Sequence, residues 1–109
     1  MLNQIVLVGR LTATPKLEEG ENNKKYLKAT IAVTRSFKNA DGAYETDFVD
    51  IILCEGIAQN TAEYCDKGDL IGVKGRIQTQ KLEDKNEIQI IAERVTFLSS
   101  KKSEEKEEG

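Results

Sequence analysis

The run TDFVDIILC at 46–54, separated by Glu55 and Gly56 from IAQNTAEYCD at 57–66, carries the change of period that decides the fold. The first run is rich in β-branched and apolar residues and reads as a strand. In the second, Ile57, Thr61 and Tyr64 or Cys65 recur at helical spacing, and Gly68 after Lys67 supplies a C-terminal stop. One short helix over 57–66 is therefore expected in a chain whose other patterned segments are strands.

Working outward, residues 25–37 alternate over a long stretch. Leu27, Ala29, Ile31 and Val33 point one way; Tyr26, Lys28, Thr30 and Thr34 point the other. Asn39-Ala40-Asp41-Gly42 is a hairpin signal joining this strand to 46–54. NQIVLVGRLT at 3–12 reads as a first strand buried on both faces, with Gly9 at a bulge or bend. Pro15 and residues 18–23 read as an irregular, mobile connection. After the helix, residues 69–82 put Ile71, Val73 and Ile77 on one side and Lys74, Arg76, Gln78 and Gln80 on the other. Glu83-Asp84-Lys85-Asn86 turns the chain into a last strand at 87–98. Three strands, a short helix and two strands is the order of an OB-fold, a five-stranded, partly open Greek-key barrel. The class is all-β with one short helix, which caps the barrel end. Gly9, Gly72 and Gly75 supply bends at barrel corners.

The 109 residues allow one domain, 1–98, and a polar segment, SSKKSEEKEEG at 99–109, that reads as a disordered acidic tail. The formal charge is −3, and −2 once 99–109 is set aside. That balance argues mildly against nucleic acid as a partner. A local basic stripe still binds a backbone, because fields act over about 8–10 Å. No apolar run approaches the ~20 residues of a membrane span. MLNQIVLVGRL has neither a basic leader region nor a small-residue cleavage site. Cys54 and Cys65 form no C-x-x-C pattern, so reduced thiols and a cytoplasmic protein are expected. Without His, a P-loop or a metal-ligand set, the chain reads as no enzyme, with no cofactor and no metal.

The candidate chemistry lies in Thr34-Arg35-Ser36-Phe37-Lys38. An exposed ring offers a nucleobase a flat face while neighbouring cations meet phosphates. Phe48 is a second candidate platform, although Asp50 on its face would repel phosphate. Lys74, Arg76 and Lys81 lie in one outward-reading segment, Arg10 follows Gly9, and Lys28 sits on an outer face. Arg10, Lys28, Arg35, Phe37, Lys38, Phe48, Lys74, Arg76 and Lys81 are therefore the expected DNA contacts. Against this stands a plainer reading in which strand aromatics are core and surface cations merely solubilise. Cys54 is expected to be a buried or half-buried small hydrophobe, Cys65 to be structural, and Tyr26 to make a cross-strand pair.

Over residues 2–98 the chain resembles bacterial single-stranded DNA-binding proteins. The resemblance is carried by LNQIVLVGRLT at 2–12 with Pro15, AVTRSF at 32–37, Asp47-Phe48-Val49, Asn60 to Tyr64 with Lys67-Gly68, GVKGRIQT at 72–79, Glu93 and Phe97-Leu98. It implies an OB-fold and sequence-independent binding of single-stranded DNA that protects strands in DNA replication, repair, recombination or transfer. It also implies a homo-oligomer joined through the first strand, a tetramer rather than a dimer. Of the family's four stacking positions, Phe37 and Phe48 keep a ring. Cys54 stands where a Phe or Trp is usual, and Leu82 where a Trp or Tyr is usual. Glu55-Gly56 replaces common basic residues, and Glu18-Glu19 a frequent Arg-Tyr. Weaker binding, or a different path, is the expectation. Glu107-Glu108-Gly109 lacks the Pro-Phe tip of longer relatives, so tail-mediated partner recruitment is not expected. The competing reading is an oligomeric OB-fold protein-interaction module with weakened DNA binding.

Overall fold

The computed structural model describes residues 1–99. In chain order it contains β1 (Ile5–Leu11), β2 (Glu18–Glu19), β3 (Lys25–Lys38), β4 (Tyr44–Cys54), α1 (Glu55–Tyr64), β5 (Leu70–Leu82) and β6 (Lys85–Ser99). The alternation of β3 and β4 buries Leu27 and Ile31 beside Ile51 and Leu53. Leu11, Ile71, Val73 and Ala92 complete the barrel core, and Ala58 and Cys65 close it at the helix end. No helix among the described residues is long and apolar enough to cross a membrane.

Two antiparallel hairpins, β3–β4 and β5–β6, form the frame. β1 links them, pairing with β5 from Ile5–Gly75 to Arg10–Leu70 and with β3 at Arg10–Ala32 and Leu11–Ile31. On the far side β6 meets β4 in parallel at Ile52–Ile91. The circuit β1-β5-β6-β4-β3-β1 is a closed five-stranded OB barrel, and β2 adds to the free edge of β3. Asn3 prolongs the β1–β5 seam with a side chain. Its Nδ2 donates to the Ile77 carbonyl at 2.7 Å, and the Ile77 N–H donates to its Oδ1 at 2.9 Å.

Closure brings backbones too near for side chains at two glycines. A Cβ on Gly9 would lie 2.6 Å from the Ala32 carbonyl oxygen, where β1 passes from β5 to β3. A Cβ on Gly75 would overlap the Ile91 carbonyl, beside the bulge between Lys74 and Gly75. Gly72 has only ordinary contact with Leu98 and is not demanded in the same way.

Several expectations need correction. β1 is not buried on both faces: Val6 and Val8 are 70% and 49% exposed, because nothing in a single chain covers its outer side. The helix spans 55–64, two residues earlier than the spacing indicated. Cys65 leaves the helix in an extended conformation and plunges into the core. Within the connection at 18–23, Glu18 and Glu19 pair with Tyr26 and Lys25, and Glu19 forms an ion pair with Lys25. Leu82 pairs with Lys85, so the last turn is only Glu83-Asp84, with Glu83 at φ 54°. Ser99, read as the start of the tail, ends β6, where its Oγ accepts from the Leu70 N–H at 3.3 Å. The rest of the expected tail, 100–109, lies outside the described residues.

Beyond Ala32 on β3 and Gly75 on β5, neither hairpin has a neighbouring β1 residue to pair with. Their outer portions stand clear of the barrel as arms, and residues 34–38, 40–48 and 77–88 are exposed. Ile77 keeps the side of Ile71 and Val73 but is uncovered there. Gly75→Ala is expected to cost about 1–3 kcal/mol, because the added methyl must push Ile91 aside. Urea unfolding should show this as a lower midpoint at an unchanged slope.

Candidate nucleic-acid interface

The plainer reading of the two phenylalanines fails on exposure. Phe37 is 65% and Phe48 69% exposed, so neither ring belongs to the core. On β4 the alternation that turns Val49, Ile51 and Leu53 inward turns Tyr44, Thr46, Phe48, Asp50, Ile52 and Cys54 outward. Facing them across β3 are Lys38, Thr34, Ala32, Thr30, Lys28 and Tyr26. Arg10 of β1 pairs with Ala32, which places Arg10, Ala32 and Phe48 in one row across three strands. Phe37 is exposed for a different reason. Between the pairs Thr34–Thr46 and Lys38–Tyr44, β3 sets three residues against Glu45 alone, and Phe37 lies in that irregular segment.

The cations are less available than their number suggests. Arg35 grips Asp47 with two hydrogen bonds, Nε to Oδ2 at 3.0 Å and Nη2 to Oδ1 at 2.9 Å. Its Nη1 donates to Glu45 Oε2 at 2.5 Å. These bonds hold the Asp47 carboxyl below the usual carboxylate range. The hydrogen bond and charge of Asp47, with the charge of Glu45, raise the Arg35 pKa further. Asp47 therefore favours the folded arm at neutral pH, and that contribution fades only as the pH falls through its lowered pKa. Arg76 donates to Glu93 Oε2 at 3.3 Å and to Gln78 Oε1 at 3.2 Å. Arg10 donates to the Gly68 carbonyl at 2.9 Å and ties β1 to the loop before β5.

Lys28, Lys74 and Lys81 make no ion pair among the described residues. They do not converge. Lys28 lies on the β3–β4 face, Lys74 stands between Val6 and Arg94, and Lys81 alternates to the side opposite Arg76. Lys38 lies over the Tyr44 ring, its Nζ 5.7 Å from the centroid. The expected single groove is thus divided. Arg10, Lys28, Lys38 and Phe48 share the β1–β3–β4 face, whereas Lys74, Arg76 and Lys81 belong to the other hairpin. Between the hairpins runs a groove of about 320 Å³ lined by Lys28, Thr30, Asp50, Ile52, Glu87 and Gln89, among others. Two carboxylates against one lysine make it a poor seat for phosphate.

Cys54 is exposed, which corrects the expectation of burial; it ends β4 on the face of Phe48. Cys65 is fully buried, as a structural thiol would be. Leu82 is 48% exposed. The sequence reading passed over Tyr44, although its period-two relation to Phe48 was the signal that places both on one face.

A family model described as the single-strand binding protein family matches residues 2–98. The chain belongs to that family. The single-stranded DNA-binding protein B of Bacillus subtilis (strain 168) is 43% identical over 109 residues, covering 95% of this chain and 96% of its own. The single-stranded DNA-binding protein 1 of Staphylococcus aureus (strain Mu50 / ATCC 700699) is 41% identical over 108 residues, covering 94% of this chain and 69% of its own. Among solved structures, the wild-type single-stranded DNA binding protein from Thermus aquaticus superposes with a TM-score of 0.78 at 27% identity. That match covers 90% of this chain, which spans half of the Thermus chain. The barrel and its two arms are thus this family's scaffold, which is one of binding rather than catalysis.

In this family member the Arg35 clamp sets a measurable limit. Glu45→Gln with Asp47→Asn is expected to free the guanidinium for phosphate. The slope of log affinity for oligo-dT against log salt should then steepen by about 0.7, one further contact on a single strand. An unchanged slope would place Arg35 away from the DNA.

Proposed function

We propose that the protein binds single-stranded DNA without regard to sequence and protects strands during DNA replication, repair, recombination or transfer. The observation that carries this reading is the pair of exposed rings, Phe37 and Phe48, held on strand arms of a barrel that belongs to the single-strand binding protein family. Bases stack on the rings, and Arg10, Lys28 and Lys38 accompany the backbone on the same side. Arg76 and Lys81, on opposite sides of the second hairpin, serve a strand that wraps over it, with Lys74 at the margin beside Val6, and Arg35 contributes when its carboxylates release it. With no ring at Cys54 or Leu82, affinity rests on fewer platforms than in fully aromatic relatives.

The working unit is a homo-oligomer, a tetramer rather than a dimer. Val6, Val8 and Leu98 form an exposed apolar strip with Gly72 at its floor, on the outer side of β1–β5–β6. Lys74 and Arg94 border it. Burial against a second copy removes this surface from water and covers the second face of β1. Residues 1–99 form the binding domain and 100–109 an accessory acidic segment of a cytoplasmic protein. The ion-paired Arg35 and Arg76 favour a second reading, an oligomeric interaction module that has lost most of its affinity for DNA.

Titration with oligo-dT and with duplex decides between them. Binding that prefers oligo-dT and weakens with salt supports the first reading, whereas no binding at low salt leaves the second. Phe37→Ala is expected to weaken oligo-dT binding by about 1–3 kcal/mol, the worth of one stacked base in single-strand binders as a class. Its folding stability should stay within about 0.5 kcal/mol, because the ring packs against no core. For assembly, Val8→Asp is expected to lower the mass in solution toward the monomer by light scattering. A variant of undiminished mass would move the interface elsewhere.

A further inference from the structure

We infer that Tyr44 is a base-stacking platform, with Lys38 placed over one face of its ring to meet an adjoining phosphate. The inference rests on the single-strand-binding reading above and gives the strand a direction across the surface.

Three cross-strand rows occupy the outer face of the β3–β4 arm: Ala32 with Phe48, Thr34 with Thr46, and Lys38 with Tyr44. They contain two aromatic rings, one cation and no carboxylate. Phe48 and Tyr44 are four residues apart on one face of β4, about 14 Å at the rise of a strand. Only threonines and an alanine lie between them and beside Phe48, so nothing bulky blocks the way. Beyond Phe48 in the other direction the next row is Thr30 with Asp50, and the groove that follows adds Glu87. A polyanion leaving Phe48 therefore meets two carboxylates against the single Lys28 toward Cys54, and Lys38 with no carboxylate on its face toward Tyr44. The acids of the arm, Glu45 and Asp47, alternate to the opposite face, where Arg35 holds them.

The Tyr44 side chain fits the role. It is 55% exposed, although a ring serving only to pack the hairpin would be covered. Lys38 engages one face at 5.7 Å, an attraction that steadies both side chains. The second face remains for a base, and the ammonium stands within reach of the phosphate beside it. In this arrangement the arm tip supplies a ring that Cys54 and Leu82 do not, and the strand runs outward along the hairpin.

The test titrates oligo-dT into the wild type and the Tyr44→Phe, Tyr44→Leu and Tyr44→Trp variants, with urea unfolding of each. Tyr44→Phe should bind within about twofold of the wild type. Tyr44→Leu, which keeps bulk but has no ring, should lose about fivefold to 150-fold in affinity with an unchanged salt slope. Because the chain has no Trp, the emission of Tyr44→Trp reports this position alone. It should be quenched saturably by oligo-dT with the affinity of the titration. Wild-type affinity in Tyr44→Leu would overturn the inference, as would a Trp whose emission ignores saturating oligo-dT. Should Tyr44→Leu fail to fold, the Trp emission decides by itself. A wild type that does not bind oligo-dT overturns this inference and the proposed function together; one that binds while the Tyr44 variants show neither effect overturns this inference alone.

Discussion

Closure of the barrel depends on β1 touching both hairpins, and β1 reaches β3 only because Gly9 lets two backbones approach without a side chain between them. β3–β4 and β5–β6 are local structures, each stabilised by its own antiparallel ladder. What makes them one molecule is the strip of β1 between them, with the single parallel pair at Ile52–Ile91 on the far side. The buried side chains of both hairpins meet in one core only when that circuit is complete. Asn3 extends the seam past the end of β1 by presenting an amide in place of a peptide group, satisfying the backbone of Ile77.

The same closure fixes where polar chemistry resides. Barrel strands have an inner and an outer face, so every residue capable of meeting a solvated polyanion must lie on the outer one or on an arm. Much of the arm's charge is already neutralised within the protein. Arg35 holds Asp47 and Glu45, and Arg76 holds Glu93. Exposed pairs of this kind add little stability. Their larger effect is competitive, since a phosphate must displace a carboxylate before it gains a guanidinium. Rings suffer no such competition, so in the proposed mode of binding they count for more than the cations.

Much of the fold was legible in the sequence because its signals were local and redundant. The change of period between 46–54 and 57–66, the Asn39–Gly42 hairpin and the two glycines at the closures all acted where they were expected. The end of the helix was misplaced because Cys65 matches a helical spacing while in fact extending into the core. The site was harder to read. Phe37 became a candidate through neighbouring cations and Phe48 despite neighbouring Asp50, but the partners of Arg35 and Arg76 lie across strands and depend on register, which alternation alone does not specify. Tyr44 escaped notice because the cation over its ring, Lys38, comes from the neighbouring strand. The double-sided apolar character of β1 was visible and pointed to contact between copies; within one chain only its inner face is covered.

The arms also separate two kinds of selection. Core positions such as Leu27 and Ile51 are constrained by folding, so their drift is punished whatever the protein binds. Phe37, Tyr44, Phe48 and Leu82 sit outside the core, where an exchange between ring and aliphatic side chain takes nothing from the barrel interior. On the proposed mode of binding, affinity in such a scaffold evolves free of stability. A lineage can dim or brighten its grip on DNA one ring at a time, and a duplicated copy can wander to a lower-affinity task without first surviving an unstable intermediate.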